Sequence, residues 1–221
     1  IEKYEMPVLG YTPEHNAYPY NYMIGSEAQR EDAVEYLKLC LDMAKEMGAE
    51  YMLTSPANGG YLATYDELWP RLEKTIRELG EHAAKVGVKL TVEALTPYES
   101  NFFTRANDLA ELFRRIDNPY VVGMCDVVPP FVQHESIMAY FDKLGDKMDH
   151  MHIIDGEQGT DSHIMPGEGS MPLQEMFHEL ARIGYDRTAT LELVLGYINE
   201  PRMYARRAVE NVRAMMAHAG M

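Results

Sequence analysis

At 221 residues, 46% hydrophobic and 25% charged, the chain is long enough to bury one sizeable core and ordinary in composition for a globular domain. No run approaches the roughly 20 apolar residues of a membrane span, and no basic-apolar-small leader opens the chain, so no membrane partner is expected. The balance of 35 acidic against 20 basic residues gives a formal charge of −15, which repels nucleic-acid phosphates and favours a small-molecule partner.

In chain order, short β-branched runs alternate with longer amphipathic stretches. A strand is expected over Met6–Tyr11, then a helix over Glu27–Met47 that opens on a Ser26/Gln29 capping box. Its apolar stripe is Val34, Leu37, Leu41, Ala44 and Met47, and Gly48 supplies a left-handed stop. Strand Glu50–Thr54 and helix Tyr65–Val86 follow, then strand Lys89–Leu95 and helix Ala106–Ile116. Strand Val121–Asp126 precedes helix Glu135–Leu144, and strand Asp149–Ile154 precedes helix Pro172–Ile183, for which Ser170 is the expected N-cap with Pro172 in the first turn. Strand Thr188–Val194 and helix Glu200–Ala217 close the series.

Six strand–helix units without a long polar linker predict a single domain, a parallel sheet covered by helices. An open doubly wound sheet and a barrel both fit that pattern. No G-x-G-x-x-G turn follows a strand, which weakens a dinucleotide site, and Gly167-Glu168-Gly169 reads as a tight turn. Two cysteines, Cys40 and Cys125, make no disulfide framework, so reduced thiols and a cytoplasmic setting are expected.

The informative residues are polar ones in strands that otherwise look buried. Side chains alternate faces along a strand, so Leu90, Val92, Leu191 and Leu193 suit the helix-covered side. Glu93, Asp126, His152 and Glu192 then point the other way, each late in its strand, where parallel barrels place their chemistry. Cys125 falls on the opposite face from Asp126. Converging carboxylates must hold protons or a cation, and three of them with one imidazole predict a divalent-metal site. The oxygen-rich set favours Mn²⁺, Co²⁺ or Mg²⁺, with Zn²⁺ as the alternative. His150 shares a face with His152 but lies deeper, as a packing or supporting residue. His82, His178 and His218 fall on helices as surface groups. Tyr11, Tyr18 and Tyr20 read as packing residues, with an aromatic wall for a bulky sugar as the alternative.

These residues resemble the xylose-isomerase-like barrel superfamily of sugar isomerases and epimerases, which also has an apurinic endonuclease branch. Glu93 in VEALTPYES, Asp126 in GMCDVV, His152 in HMHIID and Glu192 in TLELV match its four metal-ligand positions. Gly10–Asn21, Leu95–Asn101, Tyr140–Lys147, Met165–Leu173 and Asn199–Ala208 resemble the fructoselysine 3-epimerase family more closely. The resemblance implies a TIM-type (β/α) barrel of which about six units are present, the chain beginning just before the third barrel strand. It implies inversion at C3 of a ketose or ketosamine through a cis-enediolate, with Glu93 and Glu192 exchanging the proton, and a homo-oligomer. It also implies substrate contacts from Glu99 and His163. Pro129 stands where related epimerases and the endonucleases carry a histidine. That argues against a nuclease centre, despite the Asp161-Ser162-His163 pair, and leaves one substrate contact unfilled. An aldose–ketose isomerase, a sugar-phosphate epimerase and a non-catalytic sugar-binding barrel are the other readings.

Overall fold

The computed structural model describes residues 2–194 and 197–221. Six parallel strands lie side by side in chain order: β1 (Gly10–Tyr11), β2 (Tyr51–Thr54), β3 (Lys89–Val92), β4 (Val121–Asp126), β5 (Met148–Ile153) and β6 (Thr188–Leu191). The sheet curls into a half-barrel with helices on its outer face. These are α1 (Glu27–Glu46), α2 (Tyr65–Val86), α3 (Ala106–Arg115), the short α4 (Val128–Val132), α5 (Met138–Leu144), α6 (Leu173–Ile183) and α7 (Pro201–Ala219). The doubly wound alternative is excluded by the strand order, which runs in one direction from β1 to β6 with no reversal.

Helix ends follow local chemistry. Gln29 Oε1 accepts from Ser26 N at 2.8 Å while Gln29 N donates to Ser26 Oγ at 3.3 Å, closing the capping box of α1. Gly48 takes a φ of +77° just past its end. Helix α2 buries Leu68, Leu72, Ile76 and Leu79 at three- and four-residue spacing, each contributing about 1.5–3 kcal/mol by removal from water. Arg30, fully buried on α1, joins the two helices by hydrogen bonds to Thr75 and Glu78 while also pairing with Glu27. The core lies between this helical layer and the sheet, where Leu90, Val92, Val121 and Cys125 are buried against it.

Several boundaries differ from expectation, among them the start of α5 at Met138 in place of Glu135. Strand β1 keeps only Gly10–Tyr11, because Met6 and Leu9 are exposed rather than packed. Strands β3 and β6 end one residue before Glu93 and Glu192, so these acids sit at strand exits. Helix α6 starts at Leu173 with Pro172 as its N-cap residue; Ser170 does not cap it, its Oγ being bonded to Gly156 O and Glu157 instead. Helix α4 carries Pro129 and Pro130 in its first turn, where missing N–H groups are tolerated, and it is too short to show a period.

Candidate active site

The parallel register assembles the site. Asp126 at the end of β4 pairs with His152 on β5, and His152 pairs with Thr190, two residues before Glu192. Glu93 follows directly on β3. The three acids and one imidazole expected to share a face do converge. His152 Nδ1 lies 3.0 Å from Glu192 Oε2, 3.3 Å from Glu93 Oε1 and 3.8 Å from Asp126 Oδ2. Yet among the described residues this buried nitrogen makes no hydrogen bond. A ring nitrogen surrounded by carboxylate oxygens but bonded to none fits a shared cation in the middle. Cys125 packs in the apolar core, away from this cluster.

Behind the cluster is a polar layer that fixes it. His150 is buried, with Nε2 3.0 Å from Tyr51 Oη and 3.1 Å from Thr190 Oγ1, and Nδ1 2.8 Å from Thr188 Oγ1. Its ring meets the His152 ring edge-on at 5.5 Å between centroids. Burial and the neighbouring His152 push the His150 pKa down to about 4, so it stays neutral. Its burial and hydrogen bonds agree with a packing or supporting position deeper in the strand than His152.

The groups of the cluster shift one another's protonation. Burial raises Glu93 to about 7, against the opposing pull of His152. Burial would raise Asp126 too, but the His152 and His163 rings beside it outweigh that and hold it below the usual carboxylate range. Burial opposes a charge on His152, while Glu93, Asp126 and Glu192 overcome it and raise its pKa.

The cluster floors a cleft of about 690 Å³ including its mouth. Its walls include Pro13, Glu14 and His15 from the β1–α1 loop, with Leu53, Leu95, Glu99, Pro129 and His163. Among the described residues, no lysine or arginine lines it. Glu99 is present as expected, its Oε2 accepting from Thr96 N and Oγ1 at 3.2 and 2.9 Å. Burial at the wall and the Asp161 carboxylate raise its pKa. His163 hangs on the β5–α6 loop, with Nε2 3.3 Å from Asp126 Oδ2 and 3.6 Å from Glu192 Oε2. Asp155 pins that loop, accepting from the backbone N–H groups of Gly156, Gly167 and Met171 at 2.9–3.0 Å.

Sequence reasoning missed two contributors, Asp155 and His15. His15 is buried, with Nδ1 2.9 Å from Pro13 O and Nε2 2.9 Å from Thr54 Oγ1, and it holds the β1–α1 loop against β2. Neither residue lies in a periodic element, so no pattern singled it out. The aromatic wall is not found: Tyr11, Tyr18 and Tyr20 do not line the cleft, Tyr20 stacking on Tyr36 at 3.8 Å and Tyr18 standing in solvent.

The sequence profile of a family described as a xylose isomerase-like TIM barrel matches residues 1–215. The chain belongs to the xylose isomerase-like TIM barrel family. A fructoselysine 3-epimerase from Shigella flexneri is 47% identical over 97% of this chain and 78% of its own length. Among solved structures, a D-tagatose 3-epimerase-like protein superposes with a TM-score of 0.83 at 20% identity, covering 99% of this chain and 80% of that one. The IOLI protein with a bound zinc atom superposes with a TM-score of 0.77 at 17% identity, over 99% of this chain and 79% of that one. Both show the fold. The half-barrel is therefore part of the family's TIM-type architecture, and the chain is an enzyme of the isomerase class, grouped with epimerases.

Proposed function

We propose that the cleft inverts C3 of a ketosamine, converting fructoselysine to psicoselysine, with a divalent cation held by Glu93, Asp126, His152 and Glu192. The observation that carries this reading is the convergence of three carboxylates on the unbonded, buried His152 Nδ1. The 47% identity to a fructoselysine 3-epimerase supports the substrate, and a cleft without a lining lysine or arginine suits an unphosphorylated one.

A bound divalent cation supplies positive charge against which negative charge on the substrate's C2 and C3 oxygens can develop. The chain's residues supply the rest. Glu93 and Glu192 leave different strands and approach His152 Nδ1 separately, so each can address one face of C3. One carboxylate removes the C3 proton, the electron pair delocalises onto the C2 oxygen, and the other acid returns a proton to the opposite face. Asp126 and His152 fix the constellation, Glu99 and His163 contact the sugar from the wall, and the Tyr51–His150–Thr190 layer holds His152 from behind. Mn²⁺, Co²⁺ or Mg²⁺ suits so oxygen-rich a set, with Zn²⁺ the alternative.

The rest of the reading is a single-domain, cytoplasmic homo-oligomer without a nucleic-acid partner. Two unpaired buried cysteines and a charge of −15 support its compartment and partner class. No described helix is long and apolar enough to cross a membrane. The test is product identity by NMR after incubating enzyme and Mn²⁺ with fructoselysine, fructose and a ketose phosphate. A C3 epimer formed fastest from fructoselysine supports the reading; an aldose product, or preference for the phosphate, refutes it.

A further inference from the structure

We propose that His163 is a fifth protein donor to the cation, bound through Nε2 before substrate arrives. The inference rests on the metal reading above but adds a residue that the four-strand pattern does not supply. His163 Nε2 faces the same two oxygens that His152 Nδ1 approaches, Asp126 Oδ2 at 3.3 Å and Glu192 Oε2 at 3.6 Å. Two donors on one ion, each at about 2.1 Å and roughly at right angles or somewhat wider, lie about 3.0–3.4 Å apart. The spacings around Asp126 and Glu192 fall in or near that range for both imidazoles. Asp126, His163 and Glu192 thus form a second donor trio within 4.8 Å, sharing Asp126 with the Glu93–Asp126–His152 trio.

The other side of the ring supports the same role. His163 Nδ1 lies 3.7 Å from Asp161 Oδ1, and the side chain is only 11% exposed. A carboxylate on the side of an imidazole away from the ion favours its ligating orientation, and Asp161 stands there, beyond direct hydrogen-bond distance. His163 Nε2 is turned to the acid cluster, hydrogen-bonded to Asp126 Oδ2 and near Glu192, and not to the mouth of the cleft. Its anchorage also differs. The four strand-end ligands are fixed by the sheet, while His163 belongs to a loop. A ketosamine would offer two adjacent oxygens to a cation held here, and of the five donors His163, on a loop rather than at a strand end, would be the one free to make way for them. His163 is then the donor that yields, its released Nε2 becoming free to hydrogen-bond the sugar.

Pulsed electron paramagnetic resonance of the wild-type protein loaded with Mn²⁺, without substrate, counts coordinated imidazole nitrogens. Two are expected; one overturns the proposal. His163→Ala and His163→Gln, checked for folding by circular dichroism in chelator, are each expected to bind Mn²⁺ at least tenfold more weakly by calorimetry. Both are also expected to show an altered Co²⁺ absorption spectrum. Wild-type binding with unchanged affinity and spectrum in both variants overturns the assignment while leaving the four-ligand site intact. Absence of Mn²⁺ binding by the wild type overturns both readings.

Discussion

Replacing Glu93 by glutamine tests the electrostatics of the cluster without any substrate. In metal-free protein, burial raises this carboxyl from 4.5 to about 7. A folded-state pKa above the unfolded one means that the native chain holds its proton more tightly. The associated stability is fully present below about pH 4.5 and is lost as pH rises through 7. At 1.36 kcal/mol per pH unit, the full loss is about 3 kcal/mol above pH 7. Glu93→Gln removes that ionisation, so in chelator it is expected to be more stable than wild type by about 1–3 kcal/mol at pH 8, the lower end allowing for an imperfectly bonded amide. At pH 5 the difference should shrink to below about 1 kcal/mol. Cation acts against that difference at pH 8: wild type gains about 2.7 kcal/mol at a hundred times its Kd and the variant, lacking a ligand, gains less, so the gap narrows or inverts. Urea denaturation at both pH values, with and without Mn²⁺, reads all of this. Equal stability of the two proteins at pH 8 in chelator would refute the buried-charge argument.

Other perturbations test the scaffold. Tyr51→Phe removes the hydroxyl 3.0 Å from His150 Nε2 and is expected to cost about 1 kcal/mol in urea denaturation, with Thr190 left as the partner of that nitrogen. Gly169→Ala would press a Cβ against the Asp155 carboxylate and within 2.6 Å of Gly156 O, a backbone atom. It is expected to lose about 1–3 kcal/mol and to weaken Mn²⁺ binding, because Asp155 anchors the loop carrying His163. Leu72→Ala, fully buried on α2, is expected to lose about 2–5 kcal/mol with Mn²⁺ affinity unchanged, which separates packing from site effects.

The sequence revealed the elements that repeat and the residues that break their own pattern. All six strands and the long helices were legible because apolar periodicity is strong in buried parallel strands and their covering helices. Glu93, Asp126, His152 and Glu192 stood out as charged residues on a buried face, and parity alone set Cys125 aside. What stayed hidden belongs to loops. The carboxylate of Asp155 organises the β5–α6 connection and His15 ties the β1–α1 loop to Thr54, while His163, expected only as a substrate contact, approaches Asp126 and Glu192, all through contacts without a sequence period. The placement of Ser170 shows the same limit: a good capping residue was diverted to bonds with Gly156 and Glu157 by the loop's tertiary path.

Solvent deuterium entering C3 of the ketosamine is the most direct test of metal-dependent proton transfer by Glu93 and Glu192. The wild-type enzyme with Mn²⁺ should incorporate deuterium at C3 as the epimer forms. Chelator should abolish both, and Glu93→Gln and Glu192→Gln should each slow exchange by about 100-fold or more. Full-rate exchange in both folded variants, or exchange untouched by chelator, would contradict the account.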